Sequence, residues 1–286
     1  METHKFTTKL FALFVATQIL GCAPEDAAEK APPEEPDLQE QELEDSSLAV
    51  MNSSEEEDDS TETAEAPSDF SLADEVKKYQ DRFKVADTHT KLVDNRGHGM
   101  ETLYGTRNFR VVLHGVMYRG GANNKYFYKR RANINPLPTT GLKNLCKNDF
   151  STAVYLYSEN YWKAPKVVSC RDTVKATDNS LRYKQYAAAG ENKKILRLVY
   201  ERIKGRLNGP IYTHCWNGWH SSGLISAMAL KQFCGWSSSH AEAYWRLNTD
   251  GNSHGYSRLR QKLRNFKPYP EFRITEEEKA LICPEN

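Results

Sequence analysis

The stretch His214-Cys215-Trp216-Asn217-Gly218-Trp219-His220-Ser221-Ser222-Gly223 gathers residues whose types and spacing can do chemistry. A thiol follows the β-branched run Ile211–His214, and Ser-Ser-Gly then opens a helical pattern. A strand–loop–helix junction offers consecutive amide N–H groups and the positive end of a helix dipole to an anion. A cysteine placed there has its thiolate favoured by the dipole, the loop amides and a hydroxyl such as Ser222. The chemistry indicated is a thiolate held against a phosphoryl group. His214, Cys215 and His220 are also metal-ligand types, but adjacent strand residues point to opposite faces, so no metal is expected. A protease-like Cys–His dyad would need a partner His or Asn in a recognisable context elsewhere, and none stands out.

The same residues resemble the signature loop of the cysteine-dependent tyrosine and dual-specificity phosphatases: His-Cys, five variable residues, Arg, Ser or Thr, Gly. The resemblance implies that Cys215 is the nucleophile and that His214 orients the loop and supports the thiolate. It makes Gly218 the loop glycine, Ser222 the hydroxyl serving thiolate and leaving group, and Gly223 the helix start. Trp216, Asn217, Gly218, Trp219, His220, Ser221, Ser222 and Gly223 then form the phosphate cradle. The arginine position falls on Ser221, which brings no charge to clamp the equatorial oxygens. Losing one such preorganised group costs about 3 kcal/mol of barrier. His220 and Arg119 are the two residues placed to substitute for it.

Upstream, Met117-Tyr118-Arg119-Gly120-Gly121 is followed, after an insertion, by Pro138–Leu145 and by Val154-Tyr155-Leu156. This is similar to bacterial dual-specificity-phosphatase-like proteins, so the resemblance spans about residues 109–235. The family also implies a general acid on a loop before the nucleophile. There Glu191, the one carboxylate of Tyr186–Asn192, is the candidate, with Asp172 and Asp178 further upstream. None matches a recognisable motif, and each reads more readily as a surface or helix-capping residue than as an acid. The segment Asn248-Thr249-Asp250-Gly251-Asn252 matches nothing in the family.

These residues need elements to hold them. Strand-like runs are Arg110–Tyr118, Thr152–Tyr157, Leu181–Tyr186 and Ile211–His214. Helical spacing marks Asn192–Arg206, Ser221–Cys234, Ser239–Leu247 and Tyr256–Phe266. Alternating strands and helices predict an α/β fold, a cysteine-phosphatase-like sheet flanked by helices, with its ligand at the carboxyl ends of the strands.

The N-terminus carries Lys5 and Lys9, then an apolar run, Leu10–Leu20, too short for a lasting membrane span. Ile19-Leu20-Gly21-Cys22 resembles a bacterial lipobox, which makes 1–21 a signal peptide and Cys22 the lipidation site. The alternative is an ordinary secretory peptide. From Ala23 to Glu75 there are twenty Asp and Glu against one basic residue, Lys30. Such a segment cannot bury enough apolar surface to offset its ordering entropy, so 22–75 is expected to be a disordered acidic tether. Its acidity masks the charge of the remaining chain. The whole chain is +1, yet Val76 onward has 36 Lys and Arg against 17 Asp and Glu, a net of +19. A field of that sign attracts polyanions, and the remainder fits one domain, 76–286.

With Cys22 lipidated, five cysteines remain, Cys146, Cys170, Cys215, Cys234 and Cys283. Export permits disulfides. If Cys215 is the free thiol, the other four allow two bridges in three connectivities. The expected protein is lipid-anchored in a bacterial envelope, on the periplasmic or surface side. Its partner is a phosphorylated small molecule, a lipid headgroup or a phosphoprotein, and export argues against nucleic acid. It either hydrolyses phosphomonoesters through Cys215 with an altered loop and no cofactor, or binds phosphorylated anions without turnover. An envelope scaffold with a vestigial pocket is the third reading.

Overall fold

The structure is a computed structural model that describes residues 69–126, 134–171 and 177–284. The readings of the signal peptide, of Cys22 and of the tether up to residue 68 lie outside these residues, as does Asp172. Among the described residues six strands form one sheet: β1 (Thr106–Leu113), β2 (Met117–Ala122), β3 (Thr152–Tyr155), β4 (Val167–Arg171), β5 (Asp178–Gln185) and β6 (Ile211–Cys215). Their order is β1-β2-β6-β3-β5-β4. β2, β6, β3 and β5 run parallel, with β1 and β4 antiparallel at the edges. Central parallel strands are covered on both faces and read as continuous apolar runs. β6 fits this, with every residue buried.

Helices α1 (Leu72–Phe83), α2 (Thr139–Lys147), α3 (Asn192–Ile203), α4 (His220–Cys234), α5 (Ser238–Leu247), α6 (Ser257–Asn265) and α7 (Glu276–Ile282) complete the fold. One core joins the sheet to α3, α4 and the C-terminal helices through Val154, Ile195, Val199, Leu224, Ile225 and Met228. The other is aromatic and lies with α1 and α2, holding Tyr79, Phe109, Tyr118, Leu142, Phe150 and Tyr212. α4 is buried nearly all round, its polar His220, Ser221, Ser222, Ser226 and Lys231 included.

Three features depart from the sequence reading. The run Arg110–Tyr118 is not one strand, because the chain reverses between Leu113 and Met117. Gly115 takes φ +67°, and the Val116 N–H donates to the Leu113 carbonyl at 3.1 Å. The β-formers on each side of that glycine hide the turn. α1 begins inside the segment read as tether: Ser71 caps it, and Val76, Tyr79 and Phe83 form its buried stripe. β4 and α7 are the other unforeseen elements. β4 is half-exposed and held by its pairing with β5.

Cys146 pairs with Cys170, tying α2 to β4, and Cys234 pairs with Cys283, tying the end of α4 to the residue after α7. Among the described residues Cys215 is the free thiol. No described helix is long and apolar enough to cross a membrane.

Candidate phosphate-binding site at Cys215

β6 delivers Cys215 to the carboxyl end of the sheet, where it pairs with Gly121 of β2. The chain then folds back over β2. Its carbonyls are bonded outward one after another. The Trp216 carbonyl accepts from the Ala122 N–H at 3.0 Å. Those of Asn217 and Gly218 accept from Asn108 Nδ2 at 3.3 and 3.1 Å. Those of Gly218 and Trp219 accept from Arg119 Nη2 at 2.5 and 3.0 Å. A carbonyl turned outward leaves the amide of the same peptide plane on the inner side, the geometry of an anion nest. The Gly218 N–H accordingly donates to Cys215 Sγ at 3.3 Å. Ser222 Oγ, in the first turn of α4, lies 3.5 Å from the same sulfur.

His214 stays behind the loop. Its ring lies parallel to those of Tyr155, Tyr183 and Tyr212. Full burial pushes its pKa down to about 3, so the imidazole is neutral. The Cys215 carbonyl, 3.2 Å from Nδ1, fixes the proton there. Nε2 then accepts from the Tyr183 hydroxyl at 2.8 Å. This neutral tautomer holds the start of the loop rigid without placing charge there.

The other residues singled out by sequence divide into two groups. Gly218 and Ser222 touch the Cys215 sulfur, Arg119 touches the loop carbonyls and Ser222, and Trp216, Asn217, Ser221 and Gly223 belong to the same turn of chain. Trp216 donates Nε1 to the Tyr155 hydroxyl at 2.7 Å and packs against the Tyr157 ring. Asn217 Oδ1 accepts from buried Arg107 Nη1 at 3.0 Å. Ser221, at the arginine position, donates to the Tyr157 hydroxyl at 3.1 Å. Arg119 sits beneath the loop, on its carbonyls.

His220, Trp219 and Glu191 have other attachments. His220 stacks on Tyr256 at 3.6 Å, and its Nε2 donates to the Asn252 carbonyl at 2.6 Å. The expected substitution of its imidazole for the missing arginine is therefore replaced by a packing contact. Trp219 donates Nε1 to Asp250 Oδ2 at 3.1 Å. Glu191 turns back on its own helix start, accepting from the Ala187 N–H at 2.8 Å and from Lys194 at 3.0 Å. Asp178 opens β5, at the opposite end of the sheet from Cys215.

Sequence reasoning missed Asn108, Arg107, Tyr157 and Asp250. The strap Asn248–Asn252 clamps the loop through Trp219 and His220. Burial alone would raise the Asp250 carboxyl, but the charges of Arg110 and Lys91 outweigh it and hold the group below its ordinary value. Glu159 was also missed. It stands in the turn after β3, at the same end of the sheet as Cys215, with Oε2 buried and without a hydrogen-bond partner. Among the described residues no group of three or more His, Cys, Asp or Glu is placed to hold a metal ion.

No family model and no curated protein matches the chain. Solved structures do, and they belong to the cysteine-dependent tyrosine and dual-specificity phosphatases. They include TpbA of P. aeruginosa, at 18% identity and TM-score 0.34, over 55% of this chain and 86% of that one. They also include the core catalytic domain of the PP-IP phosphatase SIW14 of S. cerevisiae, at 17% identity and TM-score 0.34, over 58% and 88%.

Proposed function

We propose that the domain binds phosphomonoesters in the Cys215–Ser222 loop and hydrolyses them slowly through Cys215. The observation that carries this reading is the outward bonding of the carbonyls from Trp216 to Trp219, with the Gly218 amide on the Cys215 sulfur. A phosphoryl group in the nest would meet N–H donors on its oxygens and the sulfur at phosphorus. The thiolate forms an S–P bond as the ester P–O bond breaks, and water then cleaves the phosphocysteine to phosphate and thiolate.

The proton for the departing oxygen is assigned to Glu159. Glu191 is committed to the Ala187 amide and to Lys194, and Asp250 is held ionised by Arg110 and Lys91. Glu159 follows Tyr157, whose hydroxyl already touches Ser221, and its shielded oxygen has no competing partner. A second reading, capture without turnover, is favoured by one observation: Ser221 brings no charge and is bonded to Tyr157. Anchoring through Cys22 to a bacterial envelope membrane is part of the proposal and rests on residues 5–22. Palmitate labelling of wild type that is lost in Cys22→Ser supports it, and equal labelling of both discards it.

Phosphate release from aryl and alkyl phosphates by the full chain separates the readings. Hydrolysis should vanish in Cys215→Ser. Glu159→Gln should slow alkyl esters far more than aryl esters, whose leaving groups depart without a proton. Phosphate binding with no release from any ester establishes capture, and no binding at all rejects both.

A further inference from the structure

Arg119 is fully buried, and among the described residues no carboxylate pairs with it. Its hydrogen bonds go to neutral acceptors: Tyr244 Oη at 3.3 Å, the Gly218 and Trp219 carbonyls, and Ser222 Oγ at 3.5 Å. Its Nε is buried without a hydrogen-bond partner. A buried guanidinium lacking a counter-charge is costly, because desolvation is repaid only by a nearby anion. The surroundings add to the excess. Burial first, and then the charge of Arg119, lowers the neighbouring Arg110 to about 10, and Asp250 is already shared between Arg110 and Lys91.

An anion for Arg119 is available one hydroxyl away. Ser222 Oγ lies 3.5 Å from Arg119 Nη2 and 3.5 Å from Cys215 Sγ. We propose that Cys215 rests as a thiolate and that Arg119 is its counter-charge, coupled through Ser222, which accepts from the guanidinium and donates to the sulfur. The thiol proton leaves to solvent. The positive charge absent at residue 221 is thereby supplied from the strand beneath the loop. Arg119 is a positioning residue here, since it reaches the sulfur and any bound phosphate only through the loop it holds.

The other groups facing the loop are consistent with this. His214 is neutral, and Tyr212 is held protonated chiefly by burial. Arg107 on β1 adds positive charge through Asn217, and Tyr155 and Tyr157 face it from the β3 side. The opposing carboxylates are Asp250, on the far side of Trp219, and Glu159, in the turn after β3.

The inference deepens the phosphate-site reading, but its test needs no phosphate. Ultraviolet thiolate absorbance of the full chain is titrated against pH, with Cys215→Ser as the blank and the disulfides intact. Cys215 should ionise at least one pH unit below the value of about 8.5 for a free thiol. Arg119→Met should raise that midpoint by a unit or more, at least a tenfold loss of thiolate below it, and Arg119→Lys should return most of it. An ordinary or raised midpoint in wild type, or an unchanged midpoint in folded Arg119→Met, overturns the proposal. If Arg119→Met does not fold, Ser222→Ala decides: a raised midpoint supports the coupling and an unchanged one refutes it. A low midpoint in a protein that neither binds nor releases phosphate would sink the function proposed above and leave this assignment standing.

Discussion

Gly121 and Gly218 are packed backbone to backbone. A Cβ on Gly121 would stand 2.5 Å from the Asn217 carbonyl carbon and 2.7 Å from the Gly218 nitrogen. A Cβ on Gly218, whose φ is +79°, would stand 2.6 Å from the Gly120 carbonyl carbon. β2 therefore sets the height of the loop above the sheet, and its bare glycine surface is the seat of the cradle. Gly121→Ala should push the loop away from Cys215. Overpacking of this kind costs about 1–3 kcal/mol, read as a lower melting temperature. Phosphate affinity should fall at least tenfold, because the amide directions depend on that seat. Titration with inorganic phosphate checks the second effect, and unchanged affinity would show that the loop does not need the contact.

His214 makes stability depend on acid. Its folded pKa of about 3 lies below the ordinary value of 6.5. Between those values the unfolded chain binds a proton that the folded protein refuses, so stability is lost as pH falls from about 6.5 towards 3. One proton corresponds to a slope of about 1.4 kcal/mol per pH unit. Urea unfolding at several pH values should show this slope in wild type and lose it in His214→Asn, which cannot titrate.

How much of this could be read from the sequence depends on how local each feature is. The β6–loop–α4 junction lies in one contiguous stretch, where β-branched residues, a thiol, a glycine and a Ser-Ser-Gly helix start announce themselves together. The donors that turn the loop carbonyls outward come from Asn108 and Arg119, about a hundred positions away on another hairpin. No periodicity links them to the loop. The hairpin itself was hidden because its turn glycine stands in a run of strand-formers. The loop-facing side of Asp250 was equally illegible, since a turn-rich Asn-Thr-Asp-Gly-Asn reads as surface until the fold brings it to Trp219. The disulfide partners were open among three connectivities because pairing depends on Cα proximity, which only the packed domain supplies.

Ser221 stands where the signature loop that this stretch resembles would place an arginine, and Tyr157 is its neighbour there. Ser221 is buried and its hydroxyl reaches the Tyr157 hydroxyl. An arginine introduced alone must compete with the Tyr157 ring. Ser221→Arg should therefore raise aryl phosphate hydrolysis only modestly, and Ser221→Arg with Tyr157→Ala should raise it by about a hundredfold, the scale of one preorganised charge. A rate in the double variant no higher than wild type would mean that loop charge does not limit turnover.

Asp250 is the keystone of the strap, and removing its charge tests whether the strap serves the loop or merely covers it. Its carboxylate accepts from Lys91 Nζ at 2.8 Å, Arg110 Nη2 at 3.2 Å and Trp219 Nε1 at 3.1 Å. Asp250→Asn leaves Arg110 buried without its counter-charge. Breaking a buried pair costs about 3–5 kcal/mol, and with Asp250 itself 21% exposed, about 2 kcal/mol is the expected loss. The Asp250 carboxyl is held below its ordinary 3.8. Its contribution is thus present above that value and fades as pH falls through the folded pKa, so wild type and variant should converge in stability in strong acid. Adding Arg110→Met to Asp250→Asn removes the stranded cation and should recover most of the stability at neutral pH, by thermal melts. If the double variant regains stability but not phosphate affinity, the strap acts on the loop through Trp219. If it regains both, the strap's contribution is the ion pair alone.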